Sequence, residues 1–327
     1  MQGSLGLNLS PSPHLRSPIT TSVIMRDVIV GLLPAAAVGV YLFGTKAALV
    51  LLVAAVSAVL AEAVIQKAMG RPVTVFDGSA AVAGLLFGMI LPPGVNILMV
   101  AAGSVILIGL GKQVFGGLGH NPFNPAHVGR AVLLASWPVA MTAFEWPRAG
   151  LLSEKAIEAV QAAGAVDVVS GPTPLALMRY HGVQVPYLDL FMGNVAGSIG
   201  ETSALALIVG ALFLLVRGHI SWHIPLSYFG SVALIMVAFG QDPLFHMLAG
   251  GLVIGAFFMA TDYVTTPLTG LGQVIFGLGC GVITAFIRLY GGYPEGVCYA
   301  ILLMNATTPL IDKVIQPARF GGVTKVA

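Results

Sequence analysis

The segment Asp167-Val168-Val169-Ser170-Gly171-Pro172-Thr173-Pro174-Leu175 places a threonine hydroxyl between two prolines. The prolines restrict the backbone and Gly171 permits conformations closed to other residues, so the turn can present Thr173 rigidly to a modifying enzyme. An ordinary Pro/Gly loop that contains a threonine satisfies the same local pattern. A second run, Gly116-Gly117-Leu118-Gly119-His120-Asn121-Pro122-Phe123-Asn124-Pro125-Ala126, sets Asn121 and Asn124 each before a proline. This suits turns and exposes carboxamides for hydrogen bonding, either to a ligand or as helix caps.

A third group consists of polar residues in or beside apolar runs. Asp77 precedes Gly78-Ser79, Glu201 follows Gly200, and Asp262 lies in Thr261-Asp262-Tyr263. Arg130 falls just inside one apolar run, and Asn305 and Asp312 fall in the last. Ionisable groups at membrane depth are costly and tend to pair or to line ion paths. Asp77, Asp262 and Asp312 are therefore candidates for a cation path, and Glu201 and Asp262 for a cation path or a cofactor contact. Simpler roles compete: Asp77 and Glu201 stand at helix starts, where a carboxylate caps the dipole, and Asp312 adjoins Lys313, with which it can form an interfacial ion pair. His219 and His223 flank the entry to an apolar run and read, with Trp222, as an interfacial belt. Cys280 and Cys298 lie in apolar stretches without ligand spacing and read as buried small residues. No metal site is expected.

The elements that must position these groups are membrane helices. The 327 residues are 57% hydrophobic and 9% charged, with a mean hydropathy of +0.93. Soluble domains carry about 25% charged residues, so lipid must cover the surface that charge would otherwise solvate. A net charge of +2 gives no reason to expect nucleic acid. The first apolar run follows a polar, Pro/Ser-rich N-terminal stretch and reads as a retained span, not a signal peptide.

Apolar runs fall near 28–44, 47–66, 79–92, 95–111 and 127–142, then near 203–217, 223–240, 244–261, 271–290 and 297–312. The expected fold is an all-α integral membrane protein of about ten transmembrane helices, arranged as two five-helix repeats. Gly103-Ser104-Val105-Ile106-Leu107-Ile108 resembles Gly230-Ser231-Val232-Ala233-Leu234-Ile235, and Gly78 and Gly88 share the spacing of Gly200 and Gly210. The expected organisation is an N-terminal segment 1–27, repeats at 28–142 and 199–312, a large loop at 143–198 and a tail at 313–327. Lys and Arg set the orientation: nine lie in segments on the N-terminal side, against Lys46 and Arg288 on the other. Both termini are thus expected in the cytoplasm and the 143–198 loop outside.

On these motifs the chain resembles the D subunit of the Rnf complex and its relative, the B subunit of the sodium-pumping NADH:quinone reductase, through essentially its whole length. In that family a segment of the type Asp-Gly-x-Ser/Thr-Gly-Ala-Thr receives FMN through a phosphoester to its last threonine. The resemblance places that attachment at Thr173, with Asp167, Ser170 and Gly171 matching. Val168 and Pro172 stand where the family has glycine and alanine, which bears on how a flavin transferase grips the segment. A covalent tether leaves the flavin ring free for one-electron chemistry. The family also has an Asn-Pro-Phe-Asn-Pro-Ala run, near a second, non-covalent flavin, riboflavin, in the reductase subunit; this extends a flavin contact to Asn121 and Asn124. The resemblance implies a subunit of a translocase in a bacterial or archaeal cytoplasmic (inner) membrane. Its partners would be the other Rnf subunits, a flavin transferase, Na⁺ or H⁺, and lipid. The chain has no dinucleotide fingerprint and no cysteine cluster of its own. Two alternatives remain: the quinone-reductase subunit itself, and a secondary transporter or channel without redox chemistry, which broken helices and membrane acids also suit.

Overall fold

A computed structural model describes residues 19–147, 171–293 and 295–316. Among the described residues every regular element is a helix. The first half contains α1 (Thr21–Phe43), α2 (Thr45–Ala68), α3 (Ser79–Met89), α4 (Ile97–Ile108, continued by a π-turn over Gly109–Gln113), α5 (Pro125–Ser136) and α6 (Pro138–Thr142). Two short elements follow, α7 (Pro174–Ala176, continued by a π-turn over Leu177–His181) and α8 (Tyr187–Met192). The second half contains α9 (Ala204–Val216), α10 (His223–Ala238), α11 (Pro243–Leu248), α12 (Leu252–Ile254, continued by a π-turn over Gly255–Met259), α13 (Gly270–Tyr290) and α14 (Val297–Val314).

Helices α1, α2, α13 and α14 are long and apolar enough to cross a membrane; α3, α4, α9 and α10 are shorter apolar helices. The protein is thus a multi-pass, all-α membrane protein. Large apolar side chains such as Leu33, Leu52, Leu60, Leu226, Leu234 and Leu278 point outward. On a chain of this composition, that outward face is the lipid face. Gly44 joins α1 to α2 alone, at φ 78°, a conformation that favours glycine. Where α1 crosses α9, a Cβ on Gly210 would overlap the Gly31 carbonyl, so two glycines set the closeness of that crossing.

Several helices break inside the protein, and each break must satisfy its own backbone groups where water is excluded. Helix α3 ends before Pro92-Pro93. The Met89 carbonyl accepts from Gly200 N–H at 2.7 Å and the Leu91 carbonyl from Ile199 N–H at 3.1 Å, while the Ile90 carbonyl accepts from the Arg130 guanidinium. The run expected as one helix near 244–261 is broken between α11 and α12, where Gly250 adopts φ 67°. Arg288 serves this second break, donating to the carbonyls of His246 and, at 3.0 Å, Ala249. Arg288 therefore belongs to the buried interior of α13, not to a short outside loop as its position suggested.

Lys112 is displaced from its expected place in the same way. It lies in the π-turn that ends α4, 2% exposed, instead of in a connecting loop. Its ammonium pairs with Glu62 of α2 at 2.6 Å. The 143–198 region is likewise more than a loop. Leu175, Leu177, Leu190 and Val195 pack with Phe245 and Ala249 as a small apolar cluster that seats α7 and α8 on the helix bundle.

Candidate functional site

Thr173 is the N-cap of α7. Its extended backbone (φ −65°, ψ 159°) turns its hydroxyl back to accept from Ala176 N–H at 3.4 Å, and Pro174 occupies the first helical position, where no N–H is needed. Gly171 fixes the approach to it. Its N–H donates to the Phe144 carbonyl at 2.9 Å, and a Cβ at this position would overlap the Trp146 indole. Thr173 is 6% exposed, so the turn holds the hydroxyl inward instead of displaying it to solvent. Asp167 and Ser170, the other members of this motif, lie outside the described residues.

Thr173 borders a cavity of about 270 Å³ whose lining includes His127, Arg130, Glu201, Glu295 and Cys298. Arg130, on α5, is its electrostatic centre. One guanidinium nitrogen donates to Glu201 at 3.1 Å and to the Ile90 carbonyl; the other donates to Glu295. The planar fork lets one side chain hold a helix end and two carboxylates together, which a lysine ammonium cannot do in the same geometry. Glu201 thus lines the Thr173 cavity and is paired with Arg130 at 3.1 Å. His127 also lines this cavity at 2% exposure, and neither of its ring nitrogens has a hydrogen-bond partner.

Asn121, Asn124 and Asp262 meet in a second cavity of about 80 Å³, together with Ser79, Lys112, His219, Phe257 and Phe258. Both ends of the Asn124 carboxamide are engaged: the oxygen caps α5 by accepting from Ala126 N–H at 3.0 Å, and the nitrogen donates to the Met259 carbonyl at 3.2 Å. Asn305 adds a bond to the Asn124 backbone at 3.1 Å. Asn121 differs: its nitrogen donates to the Phe123 carbonyl at 3.2 Å, but its buried oxygen has no partner. Asp262 accepts from the Thr265 hydroxyl at 3.2 Å.

The two cavities share a wall. Asn124 and Pro125 line the second, whereas His127 and Arg130 on the same helix line the first. In the facing π-turn, Phe257 and Phe258 line the second and Met259 the first. At about 1.5 Å of rise per residue, the three residues from Asn124 to His127 span only about 4.5 Å along α5.

The remaining candidates lie elsewhere. Asp77 accepts from the N–H and hydroxyl of Ser79 at 2.8 and 2.6 Å. Asp312 accepts from Leu268 N–H at 3.0 Å, where an ion pair with Lys313 was expected. His219 is not part of an interfacial belt: it is buried, with Nε2 2.8 Å from Asp27, which also takes two bonds from Arg217. Trp222 and His223 do stack, with ring centroids 4.2 Å apart. Cys280 is buried, whereas Cys298 is partly exposed and lines the first cavity; both are free thiols. Among the described residues no group of His, Cys, Asp and Glu could hold a metal ion.

The sequence reading missed Asp27, Glu62, His127 and Glu295. Glu62 carries a legible signal, being a carboxylate within a long apolar run, and Asp27 stands at the edge of one. The isolation of His127 exists only in three dimensions.

Residues 8–321 match the model of the NQR2, RnfD, RnfE family. The chain is 47% identical over 330 residues to the D subunit of the proton-translocating ferredoxin:NAD(+) oxidoreductase complex of Clostridium ljungdahlii, covering 96% of each chain. It is also 47% identical over 326 residues to the D subunit of the Na(+)-translocating ferredoxin:NAD(+) oxidoreductase complex of Acetobacterium woodii, covering 98% of this chain and 97% of that one. Identity to the D subunit of the ion-translocating oxidoreductase complex of Halorhodospira halophila is 38% over 340 residues, with 96% and 95% covered.

Proposed function

The chain belongs to the NQR2, RnfD, RnfE family, and from that premise we propose that it is the flavin-carrying membrane subunit of an ion-translocating ferredoxin:NAD⁺ oxidoreductase complex, with FMN esterified to Thr173. The relatives are named as oxidoreductase subunits, which favours a redox role over a plain transporter. One is named for protons and the other for Na⁺ at the same identity, so overall similarity leaves both ions as candidates for this chain.

The observation that carries the reading is the placement of Thr173 on a buried cavity that holds unpartnered polar atoms. The residues fit a tethered flavin. The Thr173 oxygen caps α7 through a lone pair and not through its proton, so an ester at that oxygen leaves the cap intact. His127 offers buried nitrogens without partners, and Ile90, Leu134, Met141 and Phe144 supply apolar walls. Arg130 and its two carboxylates hold these walls together by fastening the end of α3. In the second cavity the unpartnered Asn121 oxygen, the Lys112 ammonium and the phenyl rings of Phe257 and Phe258 suit the polar edge and flat faces of a non-covalent flavin such as riboflavin. Bound flavin supplies the electron transfer itself. The protein positions two such sites on either side of one helical turn.

Asp262 lines the second cavity and is the acid we favour for contact with a moving cation; Asp77 and Asp312 line neither cavity. The charge bias along the chain favours cytoplasmic termini, with the Thr173 segment on the opposite side. The other subunits of the complex would be its partners, with a flavin transferase needed for maturation.

The test is ultraviolet in-gel fluorescence of denatured protein co-expressed with a flavin transferase. A fluorescent wild-type band absent from Thr173→Ala supports the reading. A dark wild-type band, with the transferase active on a control protein, contradicts it.

A further inference from the structure

Among the described residues two histidines, His127 and His246, are buried with both ring nitrogens unpartnered, and of the two His127 lines a cavity. His127 is 2% exposed, and both Nδ1 and Nε2 are shut off from water without a hydrogen-bond partner. A buried polar group left in that state is costly. Its neighbours are all engaged: Arg130 with Ile90, Glu201 and Glu295, and Asn124 with Ala126 and Met259. His127 lines the same cavity as Thr173, and its backbone carbonyl lies 3.6 Å from Cys298 Sγ, so the Cys298 thiol does not serve the imidazole.

We propose that His127 is a binding residue for the heterocycle held at Thr173, one imidazole nitrogen hydrogen-bonding a ring nitrogen or carbonyl of that group. This inference rests on the flavin reading above. An imidazole carries one donor and one acceptor, so it can serve either a carbonyl or an N–H on the edge of the heterocycle. In a largely apolar site such a bond discriminates between redox states, because reduction changes the charge and hydrogen-bonding capacity of the group it touches. His127 would therefore help to set the potential of the site. It also lies on the wall shared with the second cavity, one turn of α5 from Asn124.

The experiment is spectroelectrochemical titration of the Thr173-linked flavin in the purified complex, for wild type, His127→Gln and His127→Leu. In-gel fluorescence of the same samples reports loading. The expected result is a shift in His127→Leu equivalent to about a tenfold change in the oxidised-to-reduced equilibrium, or 59 mV for one electron. His127→Gln, which keeps a donor and an acceptor, should stay closer to wild type. Equal loading with unchanged potential in His127→Leu overturns the inference while leaving the flavin at Thr173 in place. A dark wild-type band overturns the flavin reading instead.

Should neither variant accumulate, wild-type and Thr173→Ala protein labelled with ¹⁵N-histidine resolve the point by NMR. One His127 ring nitrogen should move between the loaded and unloaded proteins. Superimposable His127 resonances would overturn the proposal.

Discussion

Glu62 and Lys112 meet as an ion pair at 2.6 Å, with 0% and 2% of their side chains exposed, where α2 packs against the π-turn of α4. The Glu62 oxygen that faces Lys112 also accepts from Gln113 at 2.7 Å, and Lys112 donates to Ser79 at 2.6 Å. Removing one charge strands the other in a place that water does not reach, at a cost of about 3–5 kcal/mol, whereas removing both is much milder. Lys112→Met and Glu62→Gln should each lower the melting temperature in detergent more than the double variant does. Additive losses in the double variant would mean that the two charges are not coupled.

Arg130 carries a comparable burden at the other cavity. Arg130→Met leaves the Ile90 carbonyl, Glu201 and Glu295 without their shared donor. Arg130→Lys keeps the charge but loses the fork. We expect Arg130→Met to be destabilised by roughly 3–5 kcal/mol, with Arg130→Lys intermediate, measured by thermal unfolding. If Arg130→Lys matched wild type, the geometry of the fork would be irrelevant to holding α3.

The clip between Tyr187 and Asp242 joins α8 to the start of α11 and makes the seating of this region pH-dependent. Burial alone would raise the Asp242 carboxyl, but hydrogen bonds from Tyr187, Gln184 and the backbone N–H groups of Phe245 and Leu244 outweigh it and hold the carboxyl below its ordinary range. A depressed folded value contributes stability that is present above the unfolded value, about 3.9, and is lost as pH falls through the lower folded one. Asp242→Asn should therefore melt below wild type at pH 6, with the gap closing below about pH 4. A gap that stays constant down to pH 3 would rule the carboxylate out as its source.

Gly171 bears on cofactor attachment through shape. With Trp146 against its α-carbon, Gly171→Ala must displace either the indole or the chain that leads to Thr173. We expect covalent flavin per protein to fall severalfold, read as in-gel fluorescence relative to protein stain. Loading equal to wild type would show that the transferase tolerates a shifted segment.

Hydropathy alone marked ten apolar runs, and each contains helix, but among the described helices four are long and apolar enough to cross a membrane. It could not show that the run near 244–261 is broken, since Arg288, which satisfies the freed carbonyls, lies some 40 residues away. Lys112 and Arg288 looked like loop charges for the same reason: their partners come from other helices. The motifs were found locally, but their grouping was not. Thr173 and Glu201 share one cavity, and Asn121 and Asp262 share another. That separation depends on how α5 and the π-turn Gly255–Met259 pack against each other.

The central claim is most directly tested by mass spectrometry of the tryptic peptide Ala156–Arg179, which contains both Ser170 and Thr173. The protein would be purified from cells expressing an active flavin transferase, and fragmentation would locate any modification. The account predicts a peptide heavier by one esterified FMN, with the added mass on Thr173 and absent from Thr173→Ala. An unmodified peptide, or FMN carried on Ser170, would contradict it.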